Sequence, residues 1–560
     1  MSEGQALLEY ACDKFQEQKY DEALEAFVLA YCKGYEKEWI IENIYKCYMG
    51  GNEEEFCRVY SQQRIRNDVS FEECILDFIP YREGEYYVFD REMRVFRGKF
   101  SLDVWKETKL HEILEDMEYS AAVVELEWDW NRERSILVSA KERKVYIICS
   151  DLKRGVSFCK IPELADYIKN LKIFSSRCEL QEYFHDNTGI YLPKIIVGGE
   201  ELVQIINQEH EYRITEEGRN TQNILLTIGI PTHDRGNLLL KRLENLQKMP
   251  YDAEVEIVIS KNGTHYFQEE YKSVESIKDS RINYKGYNKE ITMSENWYNV
   301  IKNAKGKYVL IVSDEDDVIL ETLEHYLKYL STHEDVGVLR SRTTVHYKKW
   351  DKSQYLKKGK EAFLAGFLQQ NYLSGLICNR QLLMECDIEN WNRLYNNNGF
   401  YRLYPHMWWQ VLMSFKGDYA TDNVYLIHEG NSVLREEALR YRMDNVQEAE
   451  LLEGCMDSEY PNIPIPSTYA ARLDQFRGCV ILIKSFFESD DELKPAALLY
   501  LINKTLYLME IVRDIYKTNE FPMWVEKLVN EAIQAMEELQ LNPNWQKVVL
   551  ENLISYTKIS

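Results

Sequence analysis

Proline and glycine are scarce, at 12 and 25 of 560 residues, and with a 45% hydrophobic share this excludes collagen-like and mostly disordered chains. Positive charge is also short. With 68 Lys and Arg against 92 Asp and Glu the net charge is -24, a field that repels phosphate backbones and excludes nucleic acid as the main partner. No apolar run approaches the roughly 18 to 20 residues of a membrane helix. The longest, around Tyr308 to Val312 and Cys479 to Ile483, are core-sized. The opening MSEGQALLEYACDKF has neither the basic start nor the apolar stretch of an export signal. The 12 cysteines form no CxxC pair and no metal-finger spacing, so they read as reduced, mostly buried thiols of a cytoplasmic protein.

What is present divides into several domains, since 560 residues exceed one ordinary core. Residues 1–65 have helical periodicity, and Tyr20 to Phe27 followed by Ala30 resembles half of a tetratricopeptide repeat, a unit that must pack on a neighbour. This predicts a packing, self-association or partner-binding element. Residues 66–215 carry short strand-like runs such as Glu85 to Phe89, Ala121 to Leu126 and Lys144 to Cys149, which predict a mixed α/β accessory domain. Its Trp128-Asp129-Trp130 reads as a packed or partner-facing aromatic site. A polar linker is expected at Thr215 to Gln222. Residues 222–435 alternate strand and helix, the pattern of a mostly parallel sheet. Residues 436–560 read as an α-helical C-terminal domain, with Ala470 to Phe487, Lys494 to Tyr516 and Met523 to Leu539 as helices and breaks at Pro461, Pro464, Pro466 and Pro543.

Three motifs in residues 222–435 carry chemistry. The apolar strand Ile224 to Ile230 ends at Pro231-Thr232-His233-Asp234-Arg235 and leads into a helix with Leu238, Leu239, Leu243 and Leu246 on one face. Ligands of open α/β sheets sit outside such strand ends, where backbone amides can meet phosphate. The second strand, Val255 to Ser260, ends in Lys261-Asn262-Gly263-Thr264, a tight polar turn able to hydrogen-bond a base or ribose. The third, Gly306 to Ser313, delivers four consecutive carboxylates, Asp314-Glu315-Asp316-Asp317. Their repulsion calls for a compensating cation, and Mg²⁺ or Mn²⁺ shared with diphosphate oxygens supplies it.

Together these elements resemble the family 2 glycosyltransferases, and the last stretch is most similar to the abequosyltransferase-like branch. The resemblance covers about 200 residues and implies a GT-A fold, a Rossmann-like mixed α/β sheet, flanked here by the N-terminal helical and α/β region and the C-terminal helices. It implies a nucleotide-sugar donor bound by Pro231, Thr232, His233, Arg235, Ser260, Lys261, Asn262, Asp314 and Glu315. A divalent Mn²⁺ or Mg²⁺ would be held by Asp314 and Asp316, with His428 in Leu426 to Ser432 as third ligand or loop histidine. Ser374 and Gly375 in Tyr372 to Arg380 resemble the segment bordering donor sugar and acceptor. The resemblance further implies inversion, a glycan, lipid-linked or protein acceptor, and bacterial surface polysaccharide or glycoconjugate synthesis, in the cytoplasm or at the inner face of the membrane.

Two departures bear on mechanism. Where the family pattern has an acidic pair about a dozen residues before a glycine resembling Gly417, this chain has Pro405-His406. His406 either replaces the catalytic base, its ordinary pKa suiting it to deprotonate a hydroxyl, or packs among aromatics. Asp418 and Asp422 are weaker substitutes. Trp408 is the residue expected to stack on a sugar face, with at least one of Trp408 and Trp409 in the core. Lys261 stands where many relatives have an Asp for uracil, which puts uridine specificity in doubt. The alternatives are a catalytically degenerate scaffold of the same fold and a nucleotidyltransferase, which would release diphosphate from a nucleoside triphosphate.

Overall fold

A computed structural model describes residues 2–35, 38–50, 53–66, 68–101, 121–126, 143–263, 266–344, 353–367, 372–430, 465–487, 492–516 and 519–557. Trp128 to Trp130, Thr264, Asn431, Ser432, Pro461 and Pro464 lie outside them. The chain forms two compact units, Met1–Tyr212 and Arg213–Ser560.

In the first unit, helices Glu3–Gln16, Tyr20–Cys32, Glu38–Met49 and Glu53–Gln63 precede β1 (Leu76–Arg82), β2 (Glu85–Asp90) and β3 (Val95–Ser101), an antiparallel sheet in that order. Ala23, Phe27 and Val28 bury the apolar helix face in one cluster with Ile79, Tyr87 and Phe89 of the sheet. The neighbour that the repeat-like helices need is therefore this sheet, and no domain boundary falls at residue 65. A second, parallel sheet orders β4 (Ala122–Leu126), β5 (Val145–Cys149), β6 (Leu171–Phe174) and β7 (Ile195–Val197) as β6-β5-β4-β7. Between the sheets' elements lies a buried ion pair. Lys160 Nζ is 2.6 Å from Asp77 Oδ1, with side-chain exposures of 0% and 4%, and the ammonium also sits 4.3 Å over the Phe71 ring. Breaking such a pair leaves a buried charge, so Lys160→Met is expected to cost about 3 kcal/mol in denaturant unfolding of the first unit. An unchanged midpoint would refute that reading.

The second unit is built on a nine-stranded sheet. Its strands are β8 (Leu226–Thr232), β9 (Val255–Lys261), β10 (Ile282–Gly286), β11 (Tyr308–Ile311), β12 (Asp317–Val318), β13 (Val336–Thr343), β14 (Gln354–Leu356), β15 (Leu376–Asn379) and β16 (Asp418–His428). The order is β10-β9-β8-β11-β15-β13-β16-β12, with β14 on β16. The run β10-β9-β8-β11 is parallel, and β15 is antiparallel to both β11 and β13. This is the mixed α/β sheet expected from the sequence. The segment around His428 is itself the end of a strand, β16, rather than a connection after the sheet. Buried on every residue, β8 and β11 are mainly apolar, with Thr227 and Thr232 the polar exceptions in β8, as central parallel strands require. After β8 the chain moves outward to β9 and β10, then returns by helix Met293–Asn303 to place β11 on the other side of β8. That reversal makes the carboxyl ends of β8 and β11 a topological switch point, where such sheets bind ligands.

Thr215 to Gln222 is not a loose linker. The Ser280 amide donates to Ile214 O at 2.8 Å and Arg219 Nη2 to Val255 O at 3.2 Å, fastening the stretch to the sheet. The C-terminal helices are Ile465–Phe486, Leu493–Tyr516, Phe521–Glu538 and Pro543–Thr557. Pro543 starts a helix rather than breaking one, because a first-turn proline lacks only an N–H that would be unpaired anyway. These helices are not a separate domain: Tyr469, Phe476, Ile483 and Phe487 share one core cluster with Val309, Phe363, Leu376 and Trp408.

Candidate active site

The loops after β8 and β11 meet through an arginine. Arg235 Nη1 donates to Asp314 Oδ1 and Glu315 Oε2, both at 3.0 Å. Its backbone N–H donates to the Tyr271 hydroxyl at 3.1 Å, and that hydroxyl shares a 2.8 Å hydrogen bond with Thr232. Asp234 adopts a left-handed conformation, φ 53°, at the sharp turn between strand and helix. His233 lies nearby, with Nε2 3.6 Å from Asp234 and 3.8 Å from Glu290.

The β9 end is braced rather than open. Ser260 donates to Asn296 Oδ1 at 2.6 Å, and Asn296 Nδ2 reaches Thr232 O at 3.3 Å. Asn262 exchanges two hydrogen bonds with the backbone of Ile291, at 2.7 and 2.8 Å. Lys261 Nζ lies 5.0 Å over the ring of Tyr271, the residue whose hydroxyl accepts from the Arg235 amide. Ser260 and Asn262 thus fix the crevice's wall; their side-chain partners are already protein groups.

Asp316 is the buried centre of the cluster, 2% exposed. Its Oδ2 accepts from Ser374 at 2.5 Å and Tyr372 at 2.7 Å, while Oδ1 accepts from the Gly430 amide at 3.1 Å. Burial pushes its carboxyl up to about 6; Glu315's charge adds to that, while the three donors pull against it. Burial, with the Asp316 charge beside it, pushes the Tyr372 phenol far above its ordinary range. Ser374 also accepts from the Ser313 amide at 2.8 Å, locking the segment to the carboxylate loop. Gly375 follows with φ 87°, and a Cβ there would come within 2.5 Å of Ser341 Oγ, so only glycine permits this path.

Arg242 and Tyr372 went unassigned in the sequence reading. Arg242 donates to Glu315 O at 2.8 Å and pairs with Asp317. Its signal was present: helix Gly236–Leu246 buries Leu238, Leu239, Leu243 and Leu246, and Arg242 falls on that same buried face. A cation in an apolar stripe needs a partner, and the acidic loop is that partner.

Several expected residues lie elsewhere. Trp408 is fully buried, packed edge-on to Phe486 at 6.1 Å, and Trp409 is equally buried with its Nε1 donating to Tyr401. Neither ring has a face for a sugar; all nine residues of helix Pro405–Met413 are buried, which periodicity alone cannot reveal. His406, 1% exposed, packs on Trp297 with ring centroids 5.0 Å apart, the packed placement rather than that of a base touching an acceptor. His406→Gln is accordingly expected to lower the melting temperature while turnover per folded molecule stays within about threefold, whereas loss of a general base costs about 100-fold or more. Asp418 accepts from Tyr355 and Lys357, and Asp422 pairs with His325, so both substitute bases are engaged. His428 is exposed at the end of β16, opposite Asp317 in the β12 pairing, with Nδ1 2.7 Å from Glu429 O. It does not complete a metal site: among the described residues no group of three or more His, Cys, Asp or Glu side chains is arranged to hold an ion.

The donor set still suits a divalent cation in charge and chemistry. Asp314 to Asp317 bring four carboxylates, Arg235 and Arg242 supply two guanidiniums, and the remaining two negative charges match a hard, oxygen-seeking dication.

Residues 227–389 match Glycosyl transferase family 2, a stretch that holds the switch point, Arg235, the carboxylate loop and Tyr372 to Gly375. The chain therefore carries a family 2 glycosyltransferase domain, and its large sheet extends past the match to β16. No curated protein matches the chain. Among solved structures it is similar to S. aureus TarS 1-349 in complex with UDP-GlcNAc, at 14% identity and TM-score 0.38, over 56% of this chain and 81% of that one. It is also similar to the mannosyltransferase PcManGT from Pyrobaculum calidifontis in complex with GDP-Man and Mn²⁺, at 12% identity and TM-score 0.32, over 68% of this chain and 96% of that one. The abequosyltransferase branch and the tetratricopeptide segment find no counterpart in these comparisons.

Proposed function

We propose that this protein transfers a sugar from a nucleoside-diphosphate donor to an acceptor hydroxyl with inversion, in the assembly of a bacterial surface polysaccharide or glycoconjugate on the cytoplasmic side of the membrane. The observation that carries this reading is the Arg235 fork on Asp314 and Glu315 at the switch point between β8 and β11. There a guanidinium and a carboxylate surplus meet at the strand ends, where a diphosphate would lie.

Asp314 and Asp316 would hold a divalent Mn²⁺ or Mg²⁺, which when bound supplies neutralisation of the departing diphosphate's charge. The chain's own residues do the rest. Arg235 holds Asp314 and Glu315 in place and offers positive charge to phosphate oxygens. Tyr372, Ser374 and the Gly430 amide fix Asp316 so that its orientation needs no rearrangement during transfer. The left-handed turn at Gly375 would let backbone approach the donor sugar closely.

The test is a thermal-shift panel of UDP, GDP, CDP and dTDP with and without Mn²⁺, followed by product analysis with the matching sugar nucleotides, UDP-GlcNAc and GDP-Man among them. A ligand at about 100 times its Kd adds roughly 2.7 kcal/mol to the stability of the native state. One nucleotide should stabilise the protein in a Mn²⁺-dependent way, and the Asp314→Asn, Asp316→Asn double variant should lose that response. No response to any nucleotide would overturn the assignment.

A further inference from the structure

A second pocket lies among the helices of the same unit, and no residue that lines it belongs to the carboxylate cluster. Helices Gly399–Leu403, Pro405–Met413, Ile465–Phe486 and Leu493–Tyr516 line a half-open pocket with a cavity volume of about 70 Å³. The close approach that shapes it is at Gly478: Asn398 Nδ2 donates to Gly478 O at 3.3 Å, and a Cβ on Gly478 would lie 2.7 Å from Asn398 Oδ1. Phe400, Met407, Phe476 and Leu501 give it an apolar side, and among the described residues no carboxylate lines the space.

Into this apolar pocket the chain places two cations, Arg472 and Lys504. Arg472 is 6% exposed; its Nη1 donates to Gln475 Oε1 at 2.6 Å, but its buried Nε has no partner. Burial lowers the Arg472 guanidinium's proton affinity, and burial together with Arg472's charge lowers that of the Lys504 ammonium. Two like charges in an apolar pocket, one with an unpaired buried N–H, are costly in the empty protein. The chain has a net charge of -24, yet among the described residues no carboxylate lines the pocket. Gln475 orients the guanidinium without neutralising it, which leaves a donor edge suited to a tetrahedral oxyanion.

We propose that this pocket binds a phosphate monoester carrying an apolar body, the phosphate set between Arg472 and Lys504 and the body against Phe400, Met407, Phe476 and Leu501. A phosphate monoester carries a charge of about -1.5 to -2 at neutral pH, which matches two monocations where a carboxylate would match one. The source is either the headgroup of a lipid phosphate or a soluble organic phosphate; the chemistry recognised is the same. This inference is independent of the donor-site reading.

Full-length protein is titrated with hexyl phosphate, hexanol and inorganic phosphate in a thermal-shift assay and by calorimetry. Hexyl phosphate should bind saturably and raise the melting temperature, inorganic phosphate should bind at least tenfold more weakly, and hexanol should have no effect at the same concentrations. Arg472→Met and Lys504→Gln should each weaken hexyl phosphate binding at least tenfold, yet melt at or above the wild-type temperature without ligand, because each relieves the like-charge pair. A merely structural Arg472 predicts the opposite, a lower melting temperature. If Arg472→Met does not fold, the partly exposed Lys504 still carries the test. The Asp314→Asn, Asp316→Asn variant should bind hexyl phosphate normally, which separates this pocket from the donor site. No response by the wild type, a response unchanged in Lys504→Gln, or its loss in the donor-site variant would each overturn the proposal. Flotation with phosphatidic acid vesicles then distinguishes the sources: binding that Lys504→Gln abolishes names a lipid headgroup, and hexyl phosphate binding without flotation names a soluble phosphate.

Discussion

Asp316→Asn is expected to lower turnover by about 100-fold or more while leaving the protein as stable as the parent or more so. The two effects have one origin. Burial, with Glu315 beside it, holds the Asp316 carboxyl at about 6 rather than its ordinary 3.8. A carboxyl whose folded value lies above its unfolded one contributes most below the unfolded value, and that contribution is lost as pH rises from about 3.8 to about 6. Above that window the ionised group costs on the order of 3 kcal/mol, a cost that a neutral amide of the same shape does not carry. Tyr372 and Ser374 can each turn a hydroxyl to suit an amide, so the shell around the side chain survives the change. Turnover is expected to fall because, on the proposed function, the Asp316 charge would help hold the divalent cation that neutralises the diphosphate. Melting curves at pH 5 and pH 8 check the stability half: the gap in favour of the variant should widen with pH. A variant that is less stable at pH 8, or that turns over normally, would show that Asp316 is a structural acid only.

Gly430→Ala is expected to damage the same site from the other side. The residue's backbone conformation is ordinary; what it lacks is space. A Cβ would lie 1.7 Å from Glu315 O, so either the end of β16 or the carboxylate loop must move. Displacement breaks the Gly430 amide's bond to Asp316 Oδ1 and uncouples Asp316 from the strand that positions it. Overpacking of this kind costs about 1 to 3 kcal/mol, and if Asp316 holds the metal as proposed, loss of a group that orients it lowers activity about 10- to 100-fold. Gly286→Ala is the control, since a Cβ there meets nothing closer than 3.5 Å and should change neither quantity. Equal behaviour of the two variants would refute the coupling.

The parts of this fold that were legible in the sequence are those where one strand carries its own signal. Leu226–Thr232, Val255–Lys261 and Tyr308–Ile311 are apolar runs ending in polar turns, and all three are strands that converge on the expected edge. The Arg235 and Asp314 loops lie together because chain order and right-handed crossovers dictate which strands become neighbours. Other parts required knowledge of what a face is buried against. Periodicity identifies an apolar stripe on Ile465–Phe486 but cannot say that the stripe meets Trp408 and Phe363, so one core read as two domains. The same limit misplaced Trp408 and His406: an amphipathic pattern presumes a wet side, and helix Pro405–Met413 has none. Asn262 and Ser260 read as ligand groups because a polar turn after a strand offers hydrogen bonds, and only the folded chain reveals that Asn296 and Ile291 already accept them.

The shared core has an evolutionary corollary. Phe486 and Phe487 bear on Trp408, Phe363 and Phe415, so the C-terminal helices complete the wall of the transferase domain instead of hanging from it. Such a tail cannot be exchanged between relatives like a cassette, because any graft must reproduce the aromatic seam residue by residue. Specificity could diversify in this lineage through loops at the strand ends, while the tail and the helices beneath it would have to change in concert.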